Sequence, residues 1–262
     1  MRWPWTRSRR SAHRQAGTII LTGGIPADQV PPPQPAPDAR SPGQIEEDFA
    51  TFGAILALAD ELAARQPDAL VQLVALIGRR LQGAYLTDVL ARPDSDERVE
   101  EVGPSSLWFD DRLPLTSDGR QLDDLRVPIA GEHVVSLATG LVLPWPWASD
   151  RLARALCNIG PGRPWGPWRA DENHSLLLWL PLGIAWVNGG NHSLAAGIAR
   201  GEGRVAAEET WDMRAVYDHV ACDGHRFTRR HDGTYLGPIH DPFAAALFEI
   251  GRRMLAHGVT AR

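Results

Sequence analysis

Apolar residues recur at helical spacing over residues 44–65, where Ile45, Phe49, Phe52, Leu56, Ala59 and Leu62 share one face. Glu46, Glu47 and Asp48 fall in the first turn of that stretch, where the helix dipole favours acids. Leu70, Val74, Ile77 and Leu81 repeat the pattern behind Pro67, a residue suited to opening a helix, and the stripe fails before Pro93. The two stretches predict a helical hairpin over residues 43–92 with a packing or scaffolding role. Residues 93–126 are polar and rich in turn formers, as in Ser117-Asp118-Gly119, and read as a linker that Trp108 and Phe109 anchor to the body.

From residue 127 the period changes. Val134–Leu137 and Leu141–Leu143 are short apolar runs that predict strands, and Ser149 is placed to cap a helix carrying Leu152, Leu156 and Ile159 up to Gly160. Leu176–Leu180 and Ile184–Val187 predict two buried strands joined at Pro181-Leu182-Gly183. Together they are too short to cross a bilayer, so no membrane partner is expected. Ser193–Arg200 reads as a helix ended by Gly201, followed by a strand at Val205–Ala207. Asp223-Gly224 and Asp232-Gly233 are hairpin-turn signals. Asp241 and Pro242 open a last helix bearing Phe243, Leu247, Ile250 and Met254, which Gly258 ends. The class is α+β: a small mixed sheet with flanking helices over 127–262, preceded by the helical hairpin.

Composition changes this picture in four ways. The 262 residues are 44% hydrophobic and 23% charged, which excludes a wholly disordered chain. Every one of the 27 basic residues is arginine, which excludes chemistry built on a Schiff-base lysine or a phosphate-binding lysine. Such a composition is expected of a GC-rich bacterial genome, and hence of a cytoplasmic protein. Two cysteines, Cys157 and Cys222, are too few for a disulfide framework. Charge is also unevenly spread. Residues 1–42 hold six arginines against Asp28 and Asp38, with a proline run from Pro31 to Pro37, and read as a flexible basic tail. Its one apolar run, Ile19-Ile20-Leu21, is far short of a signal-peptide core. The remainder is acidic, which argues against nucleic-acid binding by the body.

The densest chemistry lies in Asn188-Gly189-Gly190-Asn191-His192-Ser193, between a predicted strand and a predicted helix. Two successive glycines let backbone amides turn into one concavity, and a helix N-terminus adds further donors, a geometry suited to phosphate or carboxylate. Asn191, His192 and Ser193 would add side-chain donors, with His192 as general acid. The same geometry also serves as a plain strand-to-helix connection. Ala195, Ala196 and Gly197 are small enough for the helix to lie close on the sheet.

This segment resembles the second conserved box of the ParB/sulfiredoxin-like superfamily. There a hydrophobic strand leads into Asp/Asn-Gly-x-His-Arg, then a helix with paired small residues, a glycine and another strand. Asn188–Ser193 matches with one inserted residue, Ala195-Ala196 matches the small pair, and Gly203-Arg204-Val205 matches the exit. The match spans about residues 130–210, and its Gly-Gly-Asn-His-Ser form is closest to an uncharacterised bacterial group. The resemblance implies a site for nucleotide phosphates, with a nucleotide and Mg as the cofactor. It casts His192 as catalytic and Asn188, Gly189, Gly190, Asn191, Ser193 and Arg200 as ligand-binding, and His174 is the second catalytic candidate if its strand brings it beside His192. Ser193 stands where that superfamily carries its phosphate-binding arginine, so Arg200 or Arg204 is the substitute cation. The partner is then a small anionic ligand. The alternative is a catalytically inactive protein-interaction module of the same fold.

Three other constellations remain open. His219, Cys222 and His225 have ligand-like spacing, yet Asp223-Gly224 inside the run reads as a hairpin turn, and no metal site is assigned. His174, in Asp171-Glu172-Asn173-His174, lies beside His192 if its strand neighbours the box, and is otherwise a solvated strand start. Trp145, Trp147, Trp165 and Trp168 accompany Arg163 and Arg169 either as a stacking surface for bases or as a lid on a small core.

Overall fold

The computed structural model describes residues 40–91 and 103–261. The basic tail expected up to residue 42 lies outside this range as far as residue 39, as do residue 92 of the expected hairpin and the 93–102 part of the expected linker. Two long helices come first, α1 (Pro42–Arg65) and α2 (Ala69–Asp88), followed by a 3-10 turn at Val89–Ala91. Short helices α3 (Pro104–Leu107) and α4 (Leu122–Leu125) lead to strands β1 (Val127–Pro128), β2 (Val134–Ser136) and β3 (Leu141–Leu143). Then come α5 (Ser149–Asn158), β4 (Ser175–Leu180), β5 (Ile184–Gly189), α6 (Asn191–Arg200), β6 (Arg204–Ala206) and β7 (Glu209–Asp212). The C-terminal part holds α7 (Arg214–His219), β8 (Val220–Cys222), β9 (Arg226–Arg229), β10 (Tyr235–Pro238) and α8 (Pro242–Ala256). The class is α+β, as the change of period predicts.

The main sheet has five strands in the order β1-β7-β4-β5-β3. It is mixed: β4 runs antiparallel to β5 and parallel to β7, while β3 runs parallel to β5. Ile184, Ala185, Trp186 and Val187 of β5 are all buried, the continuous apolar signature of a strand covered on both faces. β8, β9 and β10 form a separate antiparallel meander, turned at the two Asp-Gly signals, and β2 pairs with β6.

The hairpin and the sheet share one hydrophobic core. Residues Ala244–Ile250 of α8 are buried all round, as expected of a central helix, with α1, α2 and β8 of the meander packed against it. The presumed linker is part of this core from residue 103 onward, because Leu107, Trp108, Phe109, Leu115, Leu122 and Leu125 are all buried. Trp108 packs edge-on against Trp186 and Phe248, and its Nε1 donates to Ala244 O at 2.9 Å. The boundaries expected at 92 and 126 therefore do not divide the packing. Spacing alone reads a polar stretch as a linker because a few large aromatics among turn residues leave no period.

Two helix starts differ from expectation, and one of them is α5, where Ala148 rather than Ser149 is the N-cap and no side chain caps the helix. Pro67 lies in the turn before α2 rather than at its first position, and accepts through its carbonyl from Leu70 N–H. On α1, Phe49 is turned to the rim, where it stacks on His225 at 4.4 Å. Asp48 is buried beneath Arg40 at 2.8 Å and Gln44 at 3.0 Å. A buried acid with two donors satisfies its oxygens, which the apolar stripe alone does not reveal.

Candidate functional site

The candidate box spans the end of β5, a two-glycine turn and the first turn of α6. Gly190 has φ +80°, and a Cβ there would lie 2.5 Å from His174 Cδ2, so both conformation and space demand glycine. No side chain caps α6 at this end. The first backbone bond of the helix is Leu194 N–H to Gly190 O, which leaves the amides of Asn191, His192 and Ser193 without an intrahelical acceptor. Asn188 is exposed at the end of β5, and Gly189 and Gly190 are partly exposed.

The side chains of Asn191 and His192 do not serve as the donors expected of them. Asn191 is only 3% exposed, and its Oδ1 accepts from Trp145 N–H at 2.7 Å. His192 Nε2 accepts from Ala148 N–H at 3.3 Å, at the N-cap of α5. Burial, helped by the nearby Arg151 cation, pushes the His192 pKa down to about 4, so the ring is neutral at pH 7. The two side chains fasten the 145–148 segment onto α6, and Trp147 sits edge-on over His192 at 4.5 Å. A neutral ring with one nitrogen committed as acceptor is a poor general acid, which corrects the role expected for His192. Sequence spacing cannot show this, because a helix-start Asn or His reads the same whether it donates outward or accepts inward.

Arg200 is not brought to the box. It occupies the last turn of α6, packs over Gly160, and its Nε donates to Glu202 Oε2 at 3.1 Å. Ten helical residues at 1.5 Å each separate the two ends of α6 by about 15 Å, so it cannot stand in for the missing arginine. Its partner Glu202 accepts from Trp168 N–H at 2.8 Å through the other carboxylate oxygen, and so seats the tryptophan loop.

His174 does reach the box, against Ser193 rather than His192. Its Nε2 lies 2.6 Å from Ser193 Oγ, and Ser193 Oγ is also 3.0 Å from Gly190 O. On the other side of the ring, Nδ1 is 2.9 Å from Asp171 Oδ1 and 2.9 Å from Asp171 N. Trp168 covers the imidazole at a ring separation of 4.9 Å, and its Nε1 donates to Ser193 O at 2.8 Å. The His174 side chain is 4% exposed, and burial holds its pKa below the usual histidine value, opposed in part by Asp171. The sequence pattern does not mark Asp171 as the third member. The usable signal is the Asx-turn spacing, in which Asp171 Oδ1 accepts from Asn173 N–H at 2.9 Å and aims the loop back at the ring.

The tryptophans resolve into packing groups. Trp145, Trp147 and Trp168 surround the start of α6, with Trp147 the most open at 40% exposure. Elsewhere, a cleft of about 570 Å³ opens between α2, the β2–β3 turn and β4, lined by Val74, Gly78, Arg79, Gln82, His133 and Leu141. No sequence motif signals it, since its walls come from separate elements. His225 of the ligand-like run stacks on Phe49, and Cys222 N–H donates to buried Glu249 at 3.0 Å. Among the described residues no group of three His, Cys, Asp or Glu is placed to hold a metal ion, and no helix is long and apolar enough to cross a membrane.

Comparison with known proteins places this geometry in a family. A family profile matches residues 43–261, from the start of α1 to the last described residue. The chain belongs to the family of unknown function DUF6710. The DUF6710 match covers hairpin and sheet together, in keeping with their common core. No curated protein and no solved structure matches the chain.

Proposed function

We propose that this DUF6710 protein binds a phosphate-bearing ligand, of nucleotide class, at the N-terminus of α6, within a domain of ParB/sulfiredoxin-like type. The observation that carries it is the uncapped first turn of α6 behind left-handed Gly190, next to the exposed Asn188. Three successive amides at a helix start carry partial positive charge and favour an anion. The order α5–β4–β5–α6–β6, with the small residues Ala195 and Ala196 buried on α6, supports the family resemblance. Backbone amides, rather than Asn191, His192 or Arg200, do the recognising. No step is assigned to a metal ion, for want of a ligand cluster among the described residues.

The test is thermal unfolding with inorganic phosphate and with nucleoside di- and triphosphates. A ligand at a hundred times its Kd stabilises by about 2.7 kcal/mol, which for a domain of this size raises Tm by roughly 5–10 °C. Asn188→Glu places an anion beside the turn at an exposed position, and is expected to remove the ligand-induced rise while leaving the ligand-free Tm unchanged. No rise with any phosphate ligand overturns the proposal.

One observation favours the interaction-module alternative. Leu58, Leu76 and Leu90 are 45%, 64% and 68% exposed on the hairpin. Leu58→Glu/Leu76→Glu should then convert an associated species to monomer in light scattering. An unchanged mass in the double variant ends that alternative.

A further inference from the structure

The cleft between α2 and the β2–β3 turn is separate from the start of α6, since none of residues 188–193 lines it. Its floor is apolar. Leu178 and Leu180, two residues apart on β4, turn their side chains to the same face, and Leu182 lines the cleft beyond the strand end. Val71 and Val74 of α2 form one wall. That wall is set close because Gly78 lets the helix lie against β3: a Cβ there would meet Leu141 Cδ1 at 2.6 Å. On another wall Ala261 N–H donates to Pro181 O at 2.9 Å, which ties residues 260–261 to the β4–β5 turn. A helix, a sheet and a tethered segment make a preformed cavity, and its volume of about 570 Å³ is that of a small-ligand site.

Polar groups on the lining stand unused. Arg79 and Glu132 are both exposed, and among the described residues neither has an ion-pair partner, whereas the adjacent Arg80 is held by Asp241 at 2.8 Å. Arg79 belongs to α2 and Glu132 to the segment leading into β2, so the two opposite charges come from different elements. The hydroxyls of Thr139 and Thr260 also lack protein partners among the described residues.

This combination selects among ligands. A polyanion would meet Glu132 and an apolar floor. An alkyl chain would cover the floor but strip water from two hydroxyls without replacing it, which costs free energy. A peptide of apolar residues answers every group: side chains for the leucine floor, amides for the threonine hydroxyls, and an opposite charge at each end. Burial of the side chains supplies the affinity, and the end charges fix the direction of the chain.

We propose that this cleft binds a short apolar peptide with free termini, its carboxylate on Arg79 and its ammonium on Glu132. The planar guanidinium fork suits a terminal carboxylate, which it can hold through two parallel hydrogen bonds.

The experiment is isothermal titration calorimetry of the full chain with trileucine, N-acetyl-trileucine, trileucine amide and dodecanoate. Trileucine is expected to bind one to one with a Kd below about 1 mM, and removal of either end charge should weaken it about three- to fivefold. Arg79→Gln should bind the acid and the amide equally while still preferring the free amine to the acetylated one. Glu132→Gln should do the converse. Both positions are exposed, so the Tm of each variant should match wild type. No binding at millimolar trileucine overturns the proposal, as does a preference for the acid over the amide that survives Arg79→Gln. Dodecanoate bound more tightly than trileucine, and weakened by Arg79→Gln, would make the cleft an acyl-chain site and equally overturns it.

Discussion

Two helices of this protein begin in opposite ways. α8 carries its own cap: Asp241 accepts from Phe243 N–H at 2.7 Å and Ala244 N–H at 3.1 Å, follows with Pro242, and has its charge balanced by Arg80 at 2.8 Å. α6 begins at a glycine with φ +80° and no capping side chain. At the centre of the core, the N-terminal charge of α8 is neutralised from within. On the proposed reading, the uncapped first turn of α6 at a partly exposed rim is where an anion would come from outside. The side chains nearby point the same way, since Asn191 and His192 accept from the 145–148 main chain instead of closing the first turn.

The largest expected effect comes from breaking the α6 start. Gly190→Ala forces a left-handed L-residue and drives a Cβ into His174, and should cost about 3 kcal/mol in urea unfolding. It should also release the His174–Ser193 contact, whereas a loss below about 1 kcal/mol would mean that the turn relaxes freely. The next effect is on pH dependence. The folded-state pKa of His192, about 4, lies below the ordinary 6.5, so the unfolded chain binds the proton first. Stability is thus intact above pH 6.5 and lost as pH falls toward 4, by about 2 kcal/mol, with buried His174 adding in the same direction. His192→Gln keeps an acceptor for Ala148 N–H and should flatten that slope, and an unchanged slope would place the titration elsewhere. The smallest effect sharpens the other side of the comparison. Asp241→Ala removes the α8 cap and should cost about 1–2 kcal/mol in the same unfolding assay without altering any response to phosphate.

Much of this was legible before the structure. Apolar runs bounded by turn residues marked β4 and β5, because a buried strand is a continuous hydrophobic stretch, and two Asp-Gly signals marked the turns of the meander. Asp241-Pro242 and Gly258 marked α8 through capping chemistry. The parallel pairings β3–β5 and β4–β7 were not legible, since they join elements that are distant in sequence and depend on crossover geometry. Nor was the burial of Trp108 and Phe109, which belongs to long-range packing. At the site, backbone behaviour was readable from Gly189-Gly190, but hydrogen-bond direction was not. Histidine is donor and acceptor at once, so only coordinates separate His192, an acceptor holding α5, from His174, a ring between a carboxylate and a hydroxyl. Arg200 failed as a substitute because helical rise carries it to the far end of α6.

The most direct test of the anion site is an amide-resolved NMR titration of the full chain with a nucleoside triphosphate. Saturable shifts should concentrate on the amides of Asn191, His192 and Ser193, and leave those of Phe243 and Ala244, already bonded to Asp241, in place. Shifts absent from the α6 amides at millimolar ligand, or equal at both helix starts, would contradict the account.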